Sequence, residues 1–275
     1  MTDSQSGCPV SVTLRDGHSL ALSIFEKGEP SATLLCVHGW TLDHRSFAPQ
    51  LPLSGQGFRL VLFDRRGFGD NHLAPGLHFE MDDLDAIIES LDGPIYGFGV
   101  SQGARLLLRY ATLKPKAFSG LILQGGLVDG LPMQQEELPF ERYAALLRSG
   151  DRPQFVAEWL DHPLMRSGVP IDKQDAVAEL VSGYEGRDLL AGVCGPTQMD
   201  LSAVLPGLDI PMLVTEAAHE SALRRRHGRF LVEECGADHL AMPGGHLCHF
   251  THPQIFNDGV LNWFARLDHR ADCTQ

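Results

Sequence analysis

Ser101 stands at the centre of Gly99-Val100-Ser101-Gln102-Gly103, between a short apolar run that ends there and the helix-favouring Ala104-Arg105-Leu106-Leu107-Leu108. That context predicts a strand turning sharply into a helix, with the serine strained at the apex and glycines two residues to either side, where no side chain fits. Such a serine is a candidate nucleophile. Glycine makes up 29 of the 275 residues, so the pentapeptide alone discriminates little and the weight falls on its companions. A serine hydroxyl attacks weakly until a base takes its proton, and a carboxylate normally fixes the tautomer of that base. His246, in Gly244-Gly245-His246 after a predicted strand and before Pro253, is the candidate base. The carboxylate is expected in the loop after the strand ending near Thr215, which offers Glu216 and Glu220. Glu220 is preferred because a side chain in the loop can reach back to His246, whereas Glu216 lies at the strand end. Asp129, at the end of the preceding strand, is the third candidate.

Attack on a carbonyl also needs two preorganised N–H donors for the developing oxyanion. One is expected from Gln102, the residue after the nucleophile, and one from Trp40 in the loop that follows the apolar run Ala32 to Val37. Gly39 allows close backbone approach there, and the Trp40 indole is expected to form pocket wall. His38 is read as a structural histidine of that loop in preference to a base. His249 and His252 are read as surface or supporting groups. Asp64-Arg65-Arg66-Gly67-Phe68-Gly69 is rich in glycine and charge, but no Gly-Lys-Ser/Thr follows, so it is assigned to shaping a loop beside the site rather than holding phosphate.

These residues need a scaffold, and the hydrophobic pattern supplies one. Val10 to Leu14 and Leu20 to Phe25 alternate around a turn at Asp16-Gly17, as a hairpin does. Ala32 to Val37, Phe58 to Phe63, Phe118 to Gln124, Ile210 to Thr215 and Ala237 to Met242 read as strands, most of them continuously apolar. Helices are predicted near Arg45 to Leu53, at Phe79 to Leu91, Ser101 to Leu113, Arg224 to Cys235 and Ile255 to Leu267. The alternation implies a doubly wound, mostly parallel α/β sheet. Between Gly125 and Leu208 the pattern is helical only, at Glu136 to Arg148, Pro153 to Leu164, Lys173 to Tyr184 and Arg187 to Val193. We therefore expect a core domain of residues 1–125 and 209–275 with an inserted helical lid at 126–208. Phe140, Tyr143, Phe155, Trp159, Leu164 and Met165 are its candidates for roofing a pocket, with about a third of such residues credited to substrate contact.

Composition narrows the partners. The hydrophobic fraction of 43% and charged fraction of 21% are those of a soluble globular protein. A net charge of -13 disfavours nucleic acid and anionic membrane, but leaves a small neutral or apolar substrate unaffected. The polar N-terminus lacks signal-peptide order, and no apolar run approaches spanning length, so a cytoplasmic protein is expected. Cys8, Cys36, Cys194, Cys235, Cys248 and Cys273 form no C-x-x-C pair, and neither metal nor cofactor is called for. A homodimer is compatible with the sequence.

His38-Gly39-Trp40 through Asp64-Arg65-Arg66-Gly67-Phe68-Gly69 is similar to the cofactor-free haloperoxidase and esterase branch of the α/β-hydrolase superfamily. Val100-Ser101-Gln102-Gly103-Ala104-Arg105 and Glu158-Trp159-Leu160-Asp161-His162-Pro163-Leu164 resemble the menaquinone-pathway synthase branch, whose elbow continues with an arginine matching Arg105. The resemblance covers nearly the whole chain and implies a lidded fold with the order serine, acid, histidine. It carries roles over to Ser101, His246, Trp40, Gln102 and Glu220, although Ala217-Ala218-His219-Glu220 stands where the family usually has Gly-x-x-Asp. The implied activity is serine hydrolysis of a small ester, lactone or thioester through an acyl-enzyme. A lyase or carbon-carbon bond hydrolase using the same groups is the alternative, and a non-catalytic small-molecule receptor is the alternative of another class.

Overall fold

The computed structural model describes residues 7–133, 138–193 and 199–272. The N-terminal hexapeptide, the start of the helix predicted from Glu136, Cys194 and Cys273 lie outside the described residues. Eight strands form one sheet: β1 (Cys8–Thr13), β2 (Ser19–Phe25), β3 (Ala32–Val37), β4 (Phe58–Phe63), β5 (Ile95–Val100), β6 (Gly120–Gln124), β7 (Met212–Ala217) and β8 (Asp238–Met242), in the order β1-β2-β4-β3-β5-β6-β7-β8. The hairpin β1-β2 joins β4 antiparallel, and all other pairings are parallel. The continuous apolar runs are the central strands because both faces of the sheet are covered. Along β3 the side chains alternate between two cores: Leu34 and Cys36 pack on one face, Leu35 and Val37 on the other.

The helices are α1 (Leu77–Glu89), α2 (Gln102–Leu113), α3 (Phe140–Arg148), α4 (Arg152–Asp161), α5 (Pro163–Arg166), α6 (Gln174–Ser182), α7 (Arg187–Leu190), α8 (Ala222–Glu233), α9 (Cys248–Thr251) and α10 (Pro253–Asp272). Two predicted helices differ in form. The segment expected near Arg45 to Leu53 is a 3-10 run, His44–Gln56, because Pro49 and Pro52 each remove an N–H from the α-helical ladder. The single helix expected from Pro153 to Leu164 is broken into α4 and α5. Pro163 disfavours helical backbone at His162, which is extended at ψ 138° and accepts at its ring nitrogen from the Leu164 N–H.

Helices α3 to α7 fall between β6 and β7, and they share the core of the sheet face they cover. Tyr143, Phe155, Trp159 and Leu180 belong to one buried cluster with Leu34, Phe98 and Trp263. Two indoles fasten the insertion to the loop after β3: Trp40 Nε1 donates to Tyr184 Oη at 2.9 Å, and Trp159 Nε1 to Thr41 Oγ1 at 2.8 Å. The Trp40 and Trp159 rings meet edge to face, 5.0 Å between centroids. Among the described residues, no helix is long and apolar enough to cross a membrane.

Candidate active site

β5 ends at Val100 and α2 begins at Gln102, leaving Ser101 alone at the turn with φ 56° and ψ -112°. Non-glycine residues hold such a conformation only where the surroundings enforce it. Here the enforcement is steric. A Cβ at Gly99 would lie 2.5 Å from the Ala104 backbone, and one at Gly103 would lie 2.0 Å from the Val37 carbonyl oxygen. Only bare backbone lets α2 pass so close to β3. Gly103→Ala therefore costs about 4 kcal/mol or more, a fall of about 10 °C or more in Tm for a chain of this size. Thermal circular dichroism checks this, and a Tm within 2 °C of wild type would contradict the close approach.

Gln102 is the first residue of α2, so its N–H is among those that find no partner inside the helix, at the positive end of the helix dipole. The His38-Gly39-Trp40 loop presses on the same turn, since a Cβ at Gly39 would meet Ser101 Cβ and Val100 O, each at 3.1 Å. His38 holds that loop. It is fully buried, its Nδ1 lies 2.9 Å from the Gly39 carbonyl, and its Nε2 accepts from the Arg65 N–H at 2.9 Å. Arg65 in turn pairs with Glu80 and donates to the Gln102 side chain at 3.0 Å. Asp64 accepts from the amides of His44 and Asp70. The charged glycine-rich turn thus ties β4 to the elbow.

Glu220, in the loop after β7, is brought onto His246. Its Oε2 lies 2.7 Å from His246 Nδ1, and both residues are buried. Burial alone would raise the Glu220 carboxyl, but the charge and hydrogen bond of His246, helped by Arg224 and the Ser221 amide, outweigh it and hold the group at about 2. An ionised carboxylate on Nδ1 fixes the proton there and leaves Nε2 as a lone pair. Glu216 stays within β7. Asp129 is fully taken up elsewhere, by ion pairs with Arg105 and Arg109. Gly125, at φ 57°, packs so tightly that a Cβ there would lie 2.6 Å from His246 Cε1 and 2.8 Å from Glu220 Oε2.

Gln124 joins the two halves of the site. Its carbonyl accepts the Ser101 N–H at 2.7 Å, and its Nε2 donates to the His246 carbonyl and to His249 Nδ1, each at 2.8 Å. His249 is accordingly not on the surface, as one of its expected placements had it, but fully buried against Phe47, Phe98 and Phe256. Burial first of all pushes His249 down to about 3 and His38 down to about 4, against an ordinary 6.5. Between pH 6.5 and about 4 the unfolded chain therefore binds the more protons, so stability rises with pH across that window and is lost as pH falls. His249→Gln removes one of the two sites. Its urea midpoint falls less steeply than wild type's from pH 6.5 to 4, and parallel slopes would refute the assignment.

Ser101, Gln102 and His246 line one cavity of about 210 Å3. The rest of the wall is largely apolar, from Trp40, Leu42, Leu223 and Leu247 of the core side and from Leu127, Leu138, Phe140, Trp159, Leu164 and Met165 of the insertion. Four of the six proposed roof residues thus face it, while Tyr143 and Phe155 are buried in the core cluster. Two arginines complete the wall, Arg105 from α2 and Arg224 from the first turn of α8. The Arg224 guanidinium donates to Ser101 Oγ at 3.1 Å and to the Gly125 carbonyl. Its place in the site was missed in the sequence because Arg224-Arg225-Arg226 resembles a solvated helix face. The helical spacing of Leu223, Arg224, His227 and Leu231, all buried, is the pattern that marks it as inward.

The arrangement of strained serine, carboxylate-bound imidazole and amide-rich turn can activate a hydroxyl against a carbonyl. The family model described as the alpha/beta hydrolase family matches residues 34–258, from β3 into the last helix. Among solved structures, MenH from S. aureus is similar at 20% identity and a TM-score of 0.76, with 89% of this chain and 98% of that one covered. An esterase from Exiguobacterium antarcticum matches at 17% identity and TM-score 0.77, covering 93% and 99%. An enol-lactonase from Burkholderia xenovorans LB400 matches at 16% identity and TM-score 0.77, covering 93% and 100%. At these identities the structural likeness speaks for the fold, and the family match extends over most of the sheet and every residue of the site. With that match over residues 34–258 and a mostly parallel sheet, the chain belongs to the α/β-hydrolase family.

Proposed function

We propose that the protein is a serine hydrolase that cleaves a small carboxylic ester, lactone or thioester through an acyl-enzyme. The observation that carries this is the pairing of Glu220 with His246 at 2.7 Å, His246 itself lining the cavity that holds the strained Ser101. Ser101 Oγ attacks the carbonyl carbon while His246 Nε2 takes the hydroxyl proton. The Trp40 and Gln102 amides receive the oxyanion, and the imidazolium, stabilised by Glu220, returns its proton to the leaving group. Water then repeats the sequence on the acyl-enzyme and frees Ser101. Helices α3 to α7 act as the lid, and a cavity of about 210 Å3 favours substrates smaller than the drug-sized ligands of larger pockets.

A fluorophosphonate probe tests the nucleophile, with mapping of the labelled peptide, beside a panel of p-nitrophenyl esters and enol-bearing acids. Labelling at Ser101 with turnover of the esters is expected. Labelling with turnover of the enol-bearing acids alone would replace hydrolysis by elimination with the same groups, and absence of labelling would point to a receptor.

A further inference from the structure

Gln124, the last residue of β6, stands where the pattern of the sheet calls for an apolar side chain. Ile122, two residues earlier and on the same face, is wholly buried in the core cluster with Leu213, its neighbour in register on β7. Gln124 is only 1% exposed, and its Oε1 has no hydrogen-bond partner among the described residues. A buried amide that is only partly satisfied is unfavourable for folding, which points to a role beyond the core. Its other atoms show what that role is. The Gln124 carbonyl accepts the Ser101 N–H at 2.7 Å, just past the end of β5, and Nε2 donates to the His246 carbonyl and to His249 Nδ1, each at 2.8 Å. Both N–H bonds of the amide are thus used, and its orientation is fixed by chemistry, since a main-chain carbonyl can only accept.

Resting on the hydrolase reading above, we infer that Gln124 is a positioning residue, the link that sets the base His246 against the nucleophile Ser101. Ser101 follows β5 and His246 follows β8, and β6 and β7 lie between those strands, so the strand pairing does not join the two residues directly. Gln124 does, with its main chain on one and its side chain on the other. Glu220 holds the ring of His246 at Nδ1, and Gln124 holds the main chain of the same residue. The bond to His249 steadies the amide in turn, and Gln50 Nε2 donates to the His249 carbonyl at 2.9 Å, which fastens the far end of that loop. Proton transfer from Oγ to Nε2 depends steeply on their separation, and a displacement of about 1 Å costs roughly a hundredfold in rate. Methionine has the length of glutamine without its donors, and asparagine has the donors without the length.

The experiment measures kcat and KM on a p-nitrophenyl ester, and the rate of fluorophosphonate labelling, for wild type, Gln124→Met, Gln124→Asn and Gln50→Met, each beside a thermal melt. In Gln124→Met, kcat and the labelling rate should fall together, roughly tenfold to a hundredfold. KM should stay nearly unchanged, because Gln124 is not among the described residues that line the cavity. Gln124→Asn should lie between that variant and wild type, and the same split between kcat and KM decides the matter if the methionine variant does not fold. Gln50→Met removes a buried donor of the same network without touching His246, so it should lower the melting temperature and leave kcat within a few-fold. Wild-type kcat in the Gln124 variants, a loss confined to KM, or an equal loss of kcat in Gln50→Met would each assign Gln124 a merely structural role and overturn the inference. Proton NMR adds a readout that needs no turnover: the Nδ1 proton of His246, held against Glu220, should shift in the Gln124 variants and not in Gln50→Met. If the probe labels wild-type Ser101 but the Gln124 variants keep full kcat, the positioning inference falls and the hydrolase reading stands. If wild type is neither labelled nor active, the hydrolase reading falls, while the resonance still decides whether Gln124 sets His246, and an unshifted one would overturn it.

Discussion

Ser101→Ala lowers ester turnover by roughly three to six orders of magnitude, the range seen when a nucleophile is removed from an acyl-transfer site. The loss is in kcat. In the proposed mechanism, removing Oγ takes away the atom that forms the acyl bond, while the apolar wall of the cavity remains. The variant also stays folded, because alanine at φ 56° meets the same backbone demand that serine meets and the elbow is held by Gly99 and Gly103. Side-chain replacement at Gln102 is far milder, since its proposed role is that of its amide; the Gln102 side chain itself contacts Arg65. Initial rates with a p-nitrophenyl ester, read with a thermal melt of each variant, separate the two. An Ser101→Ala enzyme with wild-type kcat would end the acyl-enzyme mechanism.

Glu220→Gln is expected to lower kcat by roughly 10⁴-fold, with KM nearly unchanged. The amide keeps the size of the carboxyl but not its charge, so the imidazolium of the proposed mechanism loses its stabilising partner, and the ring is free to take the other tautomer. Glu216→Gln, on β7 and away from His246, changes kcat by no more than a few-fold. Because Glu220 is held at about 2, it remains ionised across the working pH range, and the acid limb of the rate profile belongs to another group. A Glu220→Gln enzyme retaining a tenth of wild-type kcat would mean that the carboxylate does not act through His246.

The sheet, the elbow and His246 were legible because each is a local pattern: a continuous apolar run, glycines flanking a serine, a Gly-Gly-His after a strand. Glu220 was legible only as a preference. Its selection over Glu216 depends on where β7 stops and on how the loop folds back, with Ala218 donating to Met242 O and His219 to Gly244 O. Those bonds join segments separated by more than twenty residues, and no local pattern encodes them. His249 and Arg224 were misjudged or overlooked for a related reason. A polar residue signals exposure by type, and only the three-dimensional partners, Gln124 for one and the Ser101 hydroxyl for the other, explain why burial is tolerated. The break at His162-Pro163 was available in principle, because proline and the residue before it announce it.

The indole bonds from Trp40 to Tyr184 and from Trp159 to Thr41 have a thermodynamic consequence. Helices fastened to the sheet through shared aromatic packing do not melt ahead of it, since releasing them uncovers Trp40, Trp159 and Tyr184 together and strands two buried donors. The insertion and the sheet then form one cooperative unit, with a single calorimetric transition. A calorimetric trace, read as one transition or two, thus reports how firmly the insertion is held to the sheet.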